Sequence, residues 1–411
     1  MTHAPRIHHL NGGINVIHYP IPDSPVTHCA LMIKAGARDE SSDKTGIAHF
    51  IEHILFKGTT KRKSYHILNS LEIVGGELNA YTTKEETCIH ASVMNRYTDR
   101  AAELIADIIY NSTFPLKEIE KEKKVIVDEI HAYEDMPYEQ IFEDFEGILF
   151  KNHALGNSIL GSEKHISSFT QKDVLKFIGN AYNESNMVWV IAGSMSESAV
   201  IHMAEKYFSK KKYKGHIKRI KPSAIRSTES IIKKPNSQYH FITGQRAYSL
   251  KHENRFALIL LNNILGGPGM NSRLSMNIRE KYGFTYSIES GYHALSDTGI
   301  FHIYFATEKM HFEKTKSLVF KELDKMMNEK LSERRFNQHK QQLIGQINMS
   351  QENKLNVMLA MAKSVFYFKH ILTLEEITET INAISQSQFR QVAGEMLDAS
   401  KMSTLIYEPV T

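Results

Sequence analysis

The alternation of apolar and polar positions predicts two strands near the start of the chain, over residues 14–18 and 26–34, the second stopping at Ala35-Gly36. A helical period follows over 47–56, with Thr45 as its N-cap and Gly58 as its stop, and another over 64–74 that ends at Gly75-Gly76. Residues 77–81 and 87–93 read as strands around the polar turn Lys84, Glu85 and Glu86. Helices at 97–111 and 116–149 come next, the second interrupted near Pro137 because proline cannot continue the backbone ladder. A helix at 171–182, a strand at 187–192 and a helix at 197–208 complete the half. After residues 209–235 the order recurs. A strand at 239–243 leads to helices at 255–265 and 273–282, and then to strands at 285–292 and 300–306. Helices at 309–329, 333–352, 355–368 and 386–398 precede a last strand at 403–407.

The recurrence is one of pattern rather than identity. Residues 48–55 can be laid on 258–265, which sets His49, Glu52 and His53 against Ile259, Asn262 and Asn263. The second copy keeps the apolar face and lacks the ionisable groups. The expected fold class is α+β, in two similar domains, each a mainly antiparallel sheet packed with helices. A period near 220 residues marks duplicated domains rather than a solenoid. The expected boundaries are 1–215 and 236–411, joined by a basic linker at 216–235, with chemistry in the first domain alone.

Composition narrows the class. A chain of 411 residues suggests two or three domains, and 42% hydrophobic with 23% charged residues is ordinary for a globular protein. Disorder, a collagen-like rod and a coiled coil are excluded. Fifty Lys and Arg against forty-six Asp and Glu leave a net charge of +4, too near neutral to argue for nucleic acid or an anionic membrane. No stretch reaches eighteen apolar residues, so no membrane span is expected, and residues 1–20 lack the apolar core of a signal peptide. Cys29 and Cys88 are the only cysteines, which fits a reducing compartment, although the two can pair in principle. Lys210, Lys211, Lys212 and Lys214, then Lys218, Arg219 and Lys221, read as a solvated linker rather than a patch for an acidic partner.

The chemistry lies in His49-Phe50-Ile51-Glu52-His53. On a helix, residues four apart sit about 40° apart around the axis, so both imidazoles reach one ion from one face. Glu52 shares the edge of that face. Two imidazoles and a carboxylate suit zinc with a position left for water, whose pKa falls toward about 7. A carboxylate that is not a ligand can take the proton as that water attacks a carbonyl. The order is that of an inverted zincin, His-x-x-Glu-His. A third ligand is needed, and Glu122, Asp128 and Glu129 interrupt an apolar run as candidates.

The motif, followed by Glu129 within Val125-Ile126-Val127-Asp128-Glu129-Ile130, resembles the pitrilysin-type (M16) metallopeptidases, in particular the small subfamily of the mitochondrial processing peptidase and its bacterial relatives. Gly36-Ala37-Arg38, Phe56-Lys57-Gly58-Thr59, residues 75–82 and residues 279–286 support the resemblance. It implies a clamshell of two domains that cuts short or unfolded polypeptides, with one zinc ion per chain. By resemblance His49, His53 and Glu129 are zinc ligands, Glu52 is the general base, and Glu122 supports the site. Asn79, Ala80, Tyr81 and Thr82 match an edge strand that binds substrate by strand addition. Arg279 and Tyr286 match a substrate-contacting pair of the silent half, and residues 265–274 a glycine-rich loop. Glu139 and Glu143 match acidic residues that bind an arginine of presequence-like peptides. The family's small members pair, so a homodimer is expected, with an inactive homologous partner chain or a non-catalytic structural role as alternatives. No nucleic acid partner is expected. The compartment is expected to be bacterial cytoplasm, or alternatively the mitochondrial matrix.

Overall fold

The structure, a computed structural model, describes residues 4–11, 13–209, 215 and 217–410. Its first half contains strands β1 (Arg6–His9), β2 (Asn15–Pro20), β3 (Val26–Ile33), β4 (Glu77–Thr82), β5 (Thr87–Met94) and β6 (Met187–Gly193). The helices there are α1 (Ile47–Leu55), α2 (Ser64–Glu72), α3 (Thr98–Asn111), α4 (Leu116–Glu134), α5 (Pro137–Leu149), α6 (Glu163–Ser168), α7 (Gln171–Ala181) and α8 (Glu197–Phe208). The second half contains β7 (Glu229–Lys234), β8 (Tyr239–Ala247), β9 (Ser287–Ala294), β10 (Gly299–Thr307) and β11 (Ser403–Pro409). Its helices are α9 (Arg255–Gly266), α10 (Phe312–Asn328), α11 (Glu333–Ser350), α12 (Lys354–Phe368), α13 (Leu374–Ala383) and α14 (Gln386–Met396), with a π-helical turn at Ser275–Glu280.

Duplication is written in the sheets. The first has the order β1-β2-β6-β3-β5-β4 and the second β7-β11-β8-β10-β9. In each, one parallel pair (β2 with β6, β7 with β11) is followed by antiparallel pairs only. Leaving β1 aside, the two sheets have the same order and polarity, so the fold is α+β with two similar domains, as expected. β6 is buried along its whole length and accordingly reads Met-Val-Trp-Val-Ile-Ala-Gly without polar alternation. α9 follows β8 as α1 follows β3, and carries Ile259, Asn262 and Asn263 where α1 carries His49, Glu52 and His53.

Two compact units result. One comprises Met1–Ala132, Asn157–Ile220 and Gln351–Leu372; the other comprises Tyr133–Gly156, Lys221–Ser350 and Thr373–Thr411. The contiguous division expected at 215 and 236 differs from this because each half lends the other a helix. Ile141, Phe145 and Leu149 of α5 pack with Ile242, Tyr304 and Leu405 of the second sheet. Met358, Ala362 and Val365 of α12 pack with Ala30, Met32, Val188 and Val190 of the first. A helical period shows that a face is apolar; it does not say which sheet the face covers.

The expected linker also differs. Residues 229–234 form β7, paired in parallel with β11. Arg219 is no solvated cation: its guanidinium donates to both oxygens of Asp39, at 2.9 and 2.8 Å, and to the Glu85 carbonyl at 2.8 Å. Lys210, Lys211, Lys212 and Lys214 lie outside the described residues.

Strand parity separates the cysteines. Cys29 belongs to the core under α1 and α3, Cys88 to the core under α12, so they occupy opposite faces of the sheet, and both are buried free thiols. Among the described residues no helix is long and apolar enough to cross a membrane.

His302 on β10 lies with its ring against Phe142 (5.1 Å between centroids) and against Gly291, where a Cβ would meet the ring at 2.4 Å. Burial pushes it down to about 4 from the usual 6.5. A histidine held neutral in the fold is protonated first in the unfolded chain. Its contribution is therefore complete above pH 6.5 and is lost as the pH falls toward 4. At 1.36 kcal/mol per pKa unit that is about 3 kcal/mol at most. Urea midpoints measured across this window should fall with pH, and His302→Leu should make the fall shallower.

Candidate metal centre

α1 buries Ile47, Phe50, Ile51, Ile54 and Leu55 in the first unit's core. The stripe left over carries His49, Glu52 and His53. α4 buries Ile119, Ile126 and Ile130 and, on the same face, Glu122. Glu129 lies two turns beyond Glu122, while Asp128 is exposed on another side of the helix.

These two helices bring His49, His53 and Glu129 together, one ligand atom of each lying within 4.8 Å of the others. His49 Nε2 is 3.9 Å from Glu129 Oε1, and His53 Nε2 is 3.5 Å from Glu129 Oε2. Ligands bound tetrahedrally at about 2.0–2.1 Å lie roughly 3.4 Å apart, so the spacing suits zinc. The His49 ring is nearly buried; burial first, then the neighbouring His53, push its pKa down to about 3. It is therefore held as the neutral imidazole that a metal needs. No other group of His, Cys, Asp or Glu among the described residues has this geometry.

Around the three lies a supporting layer. His53 Nδ1 is 3.4 Å from Glu122 Oε2, and the other oxygen of Glu122 accepts from Lys57 Nζ at 2.7 Å. Glu122 thus orients His53 with Nε2 turned toward Glu129 and is itself held by Lys57. Glu52 stands apart from the trio. Its Oε2 is buried and makes no hydrogen bond. Burial pushes its carboxyl upward; the Thr82 hydroxyl and then His53 oppose that shift, and Glu129 adds to it. An Oε2 without a hydrogen-bond partner, in a carboxyl group beside His53 and Glu129, is available to accept a proton.

β4 is the outermost strand of its sheet and pairs with β5. Its parity puts Ala80 and Thr82 on the α1 side, against the core and Glu52, and Tyr81 on the α12 side. Asn79 is exposed. Arg279, Tyr286, Glu139 and Glu143 belong to the second unit. There the Arg279 guanidinium pairs with Glu280 at 2.9 Å, and Tyr286 is 92% exposed on the turn before β9. Glu139 is exposed in the first turn of α5, with its carbonyl accepting from the Tyr133 hydroxyl at 3.3 Å, and Glu143 follows one turn later. Sequence reading missed the role of Lys57, because a lysine four residues after His53 carries no spacing signal for a carboxylate 65 positions on.

Residues 16–163 match the family described as insulinase (peptidase family M16), and residues 168–343 match the peptidase M16 inactive domain. An "uncharacterized zinc protease" of Rickettsia felis is 34% identical over 404 residues, which is 98% of this chain and 97% of that one. Another from Bacillus subtilis is 29% identical, covering 96% of each. Among solved structures, a peptidase M16 inactive domain from Pseudomonas fluorescens superposes with a TM-score of 0.92 at 20% identity, over 99% of this chain and 98% of that one. A protease from Helicobacter pylori gives 0.91 at 20% identity, over 99% and 100%.

Proposed function

Because the chain belongs to peptidase family M16, the insulinase family, we propose that it is a zinc-dependent endopeptidase acting on short or unfolded polypeptides. The observation that carries this reading is the convergence of His49, His53 and Glu129 beside a Glu52 carboxyl group whose Oε2 has no hydrogen-bond partner.

His49, His53 and Glu129 would hold the ion, with Glu122 fixing the His53 ring and Lys57 fixing Glu122. Zinc, when bound, supplies a Lewis acid that polarises the scissile carbonyl and acidifies water. Glu52 Oε2 accepts the proton of the attacking water and passes it to the amine that leaves. β4 offers backbone groups on its outer side to an extended substrate, which joins the sheet as a further strand and is read through its backbone. Arg279 and Tyr286 are proposed to donate hydrogen bonds to substrate carbonyls. A homodimer and a bacterial cytoplasmic setting complete the proposal; the bacterial sources of the relatives support the second in part.

The test is mass-spectrometric mapping of cuts in a mixed peptide set by the purified, zinc-loaded chain, with Glu52→Gln as the control. No cuts from either protein, with zinc bound, would overturn the reading for the chain acting alone. A preference for basic, presequence-like peptides rests on Glu139 and Glu143, which sit one helical turn apart and can share a guanidinium. Glu139→Gln/Glu143→Gln should lower kcat/KM on Arg-containing peptides by roughly two- to tenfold, the scale of exposed charge pairs. Neutral peptides should be cut as before, and an equal loss on both sets would reject the preference.

A further inference from the structure

α1 carries His49, Glu52 and His53 in nine residues, yet its N-terminus has no cap of its own. The position before the first turn is Gly46, with φ +90°, where a Cβ would meet the Leu160 carbonyl oxygen at 2.5 Å and Gly161 Cα at 2.8 Å. A serine, threonine or aspartate, the usual caps, cannot stand there. The first N–H groups of a helix nevertheless need acceptors, and these are buried.

Glu40 supplies them from outside the helix. Its Oε2 accepts from the Gly46 N–H and its Oε1 from the Ala48 N–H, both at 2.8 Å. The side chain is more than nine-tenths buried. Its place is set in turn by the residues before it. Asp39 is clasped by Arg219 and accepts from the Gly36 N–H at 3.0 Å. Arg38 donates to Glu85 at 2.6 Å and to the Ile220 carbonyl at 2.7 Å. A chain of buried charges thus fixes the turn at 37–39, the turn fixes Glu40, and Glu40 fixes where α1 begins.

We propose that Glu40 is a positioning residue of the peptidase: its carboxyl group anchors the first turn of α1 and so holds His49, and through it the ligand face, against Glu129. The inference rests on the zinc-peptidase reading above. His49 lies three residues after Gly46, so it is the first ligand displaced when the turn frays. Burial pushes the Glu40 carboxyl up to about 8, against the pull of the Ala48 and Gly46 amides and of Lys84. The ionised carboxyl, which the two amides favour, turns two accepting oxygens toward two N–H groups. A glutamine of the same size has one oxygen, and its amide nitrogen opposes the other N–H.

The experiment compares the full chain with Glu40→Gln and Asp173→Asn. Asp173 closes the capping box of α7, a helix without ligands: its Oδ2 accepts one backbone N–H, that of Thr170, at 2.9 Å, and pairs with Lys44 at 3.2 Å. Zinc affinity is read by chelator competition, cleavage by steady-state kinetics and the α1 amides by hydrogen exchange. Glu40→Gln should weaken zinc binding by roughly three- to thirtyfold, the scale of a lost helix cap, and lower kcat with KM unchanged. Asp173→Asn should lower the thermal midpoint and leave zinc affinity alone. Equal effects of the two variants on zinc, or wild-type affinity in Glu40→Gln, would overturn the proposal. If Glu40→Gln does not fold, the unmodified chain still decides. The Gly46 and Ala48 amides should exchange slowly, and fast exchange would overturn the proposal. Zinc bound without cleavage would sink the peptidase reading while the affinity comparison still judged Glu40; no zinc binding by the unmodified chain would sink both.

Discussion

Glu52→Gln should keep zinc and lose peptide cleavage by about a thousandfold or more, in the upper part of the range for general bases. The separation of the two properties follows from the geometry. The atoms that converge as ligands come from His49, His53 and Glu129, and Glu52 is not among them. Its Oε2 has no hydrogen-bond partner to lose, and an amide has nearly the same volume. Zinc affinity should therefore stay within a few-fold of the unmodified chain. What the amide cannot do is accept the proton of the attacking water, and neither Thr82 beside it nor Glu122, committed to His53 and Lys57, can take over. Rates within tenfold of the unmodified protein would remove Glu52 from the role of base. A parallel loss of zinc would make it a ligand.

The parts of this site that could be read from the sequence are those governed by one helix. The 100° step of α1 places His49 and His53 on one face whatever the rest of the chain does, so the motif is legible alone. The same step explains why residue reading left Glu122, Asp128 and Glu129 open as third ligand. All three interrupt the apolar run, and only the packing of α4 against α1 turns Asp128 to solvent, Glu122 to His53 Nδ1 and Glu129 to both Nε2 atoms. The resemblance to M16 peptidases chose among them; periodicity did not. Contacts between segments distant in sequence were illegible for the same reason. Nothing in the pattern pairs Arg219 with Asp39, across 180 positions, or sends α5 and α12 to the sheet of the other half. β7 was lost in a linker reading because its exposed residues, Glu229, Lys233 and Ile231 among them, show no alternation that marks a half-buried strand.

Glu129→Gln and Glu122→Gln should both weaken zinc binding, in that order and by different amounts. Zinc held by a protein site is worth about 10–16 kcal/mol over its ligands, so one ligand accounts for a factor of about a hundred to a thousand or more. Among the described residues Glu129 is the only carboxylate within reach of both imidazole Nε2 atoms, and an amide is a poor ligand in its place. Glu122 touches the ring through Nδ1 alone. Its amide oxygen can still accept from Nδ1–H, so the loss should stay near the ten- to hundredfold typical of supporting residues. Losing its charge leaves Lys57 without its carboxylate, which should appear as lower stability of the metal-free chain. The thermal midpoint offers a second readout, because a ligand that binds the folded chain stabilises it by RT ln(1 + [L]/Kd). At a fixed zinc concentration the rise in midpoint should be largest for the unmodified chain, smaller for Glu122→Gln and absent for Glu129→Gln. The reverse order would transfer the third ligand position to Glu122 and leave Glu129, 43% exposed at its side chain, as the outer partner.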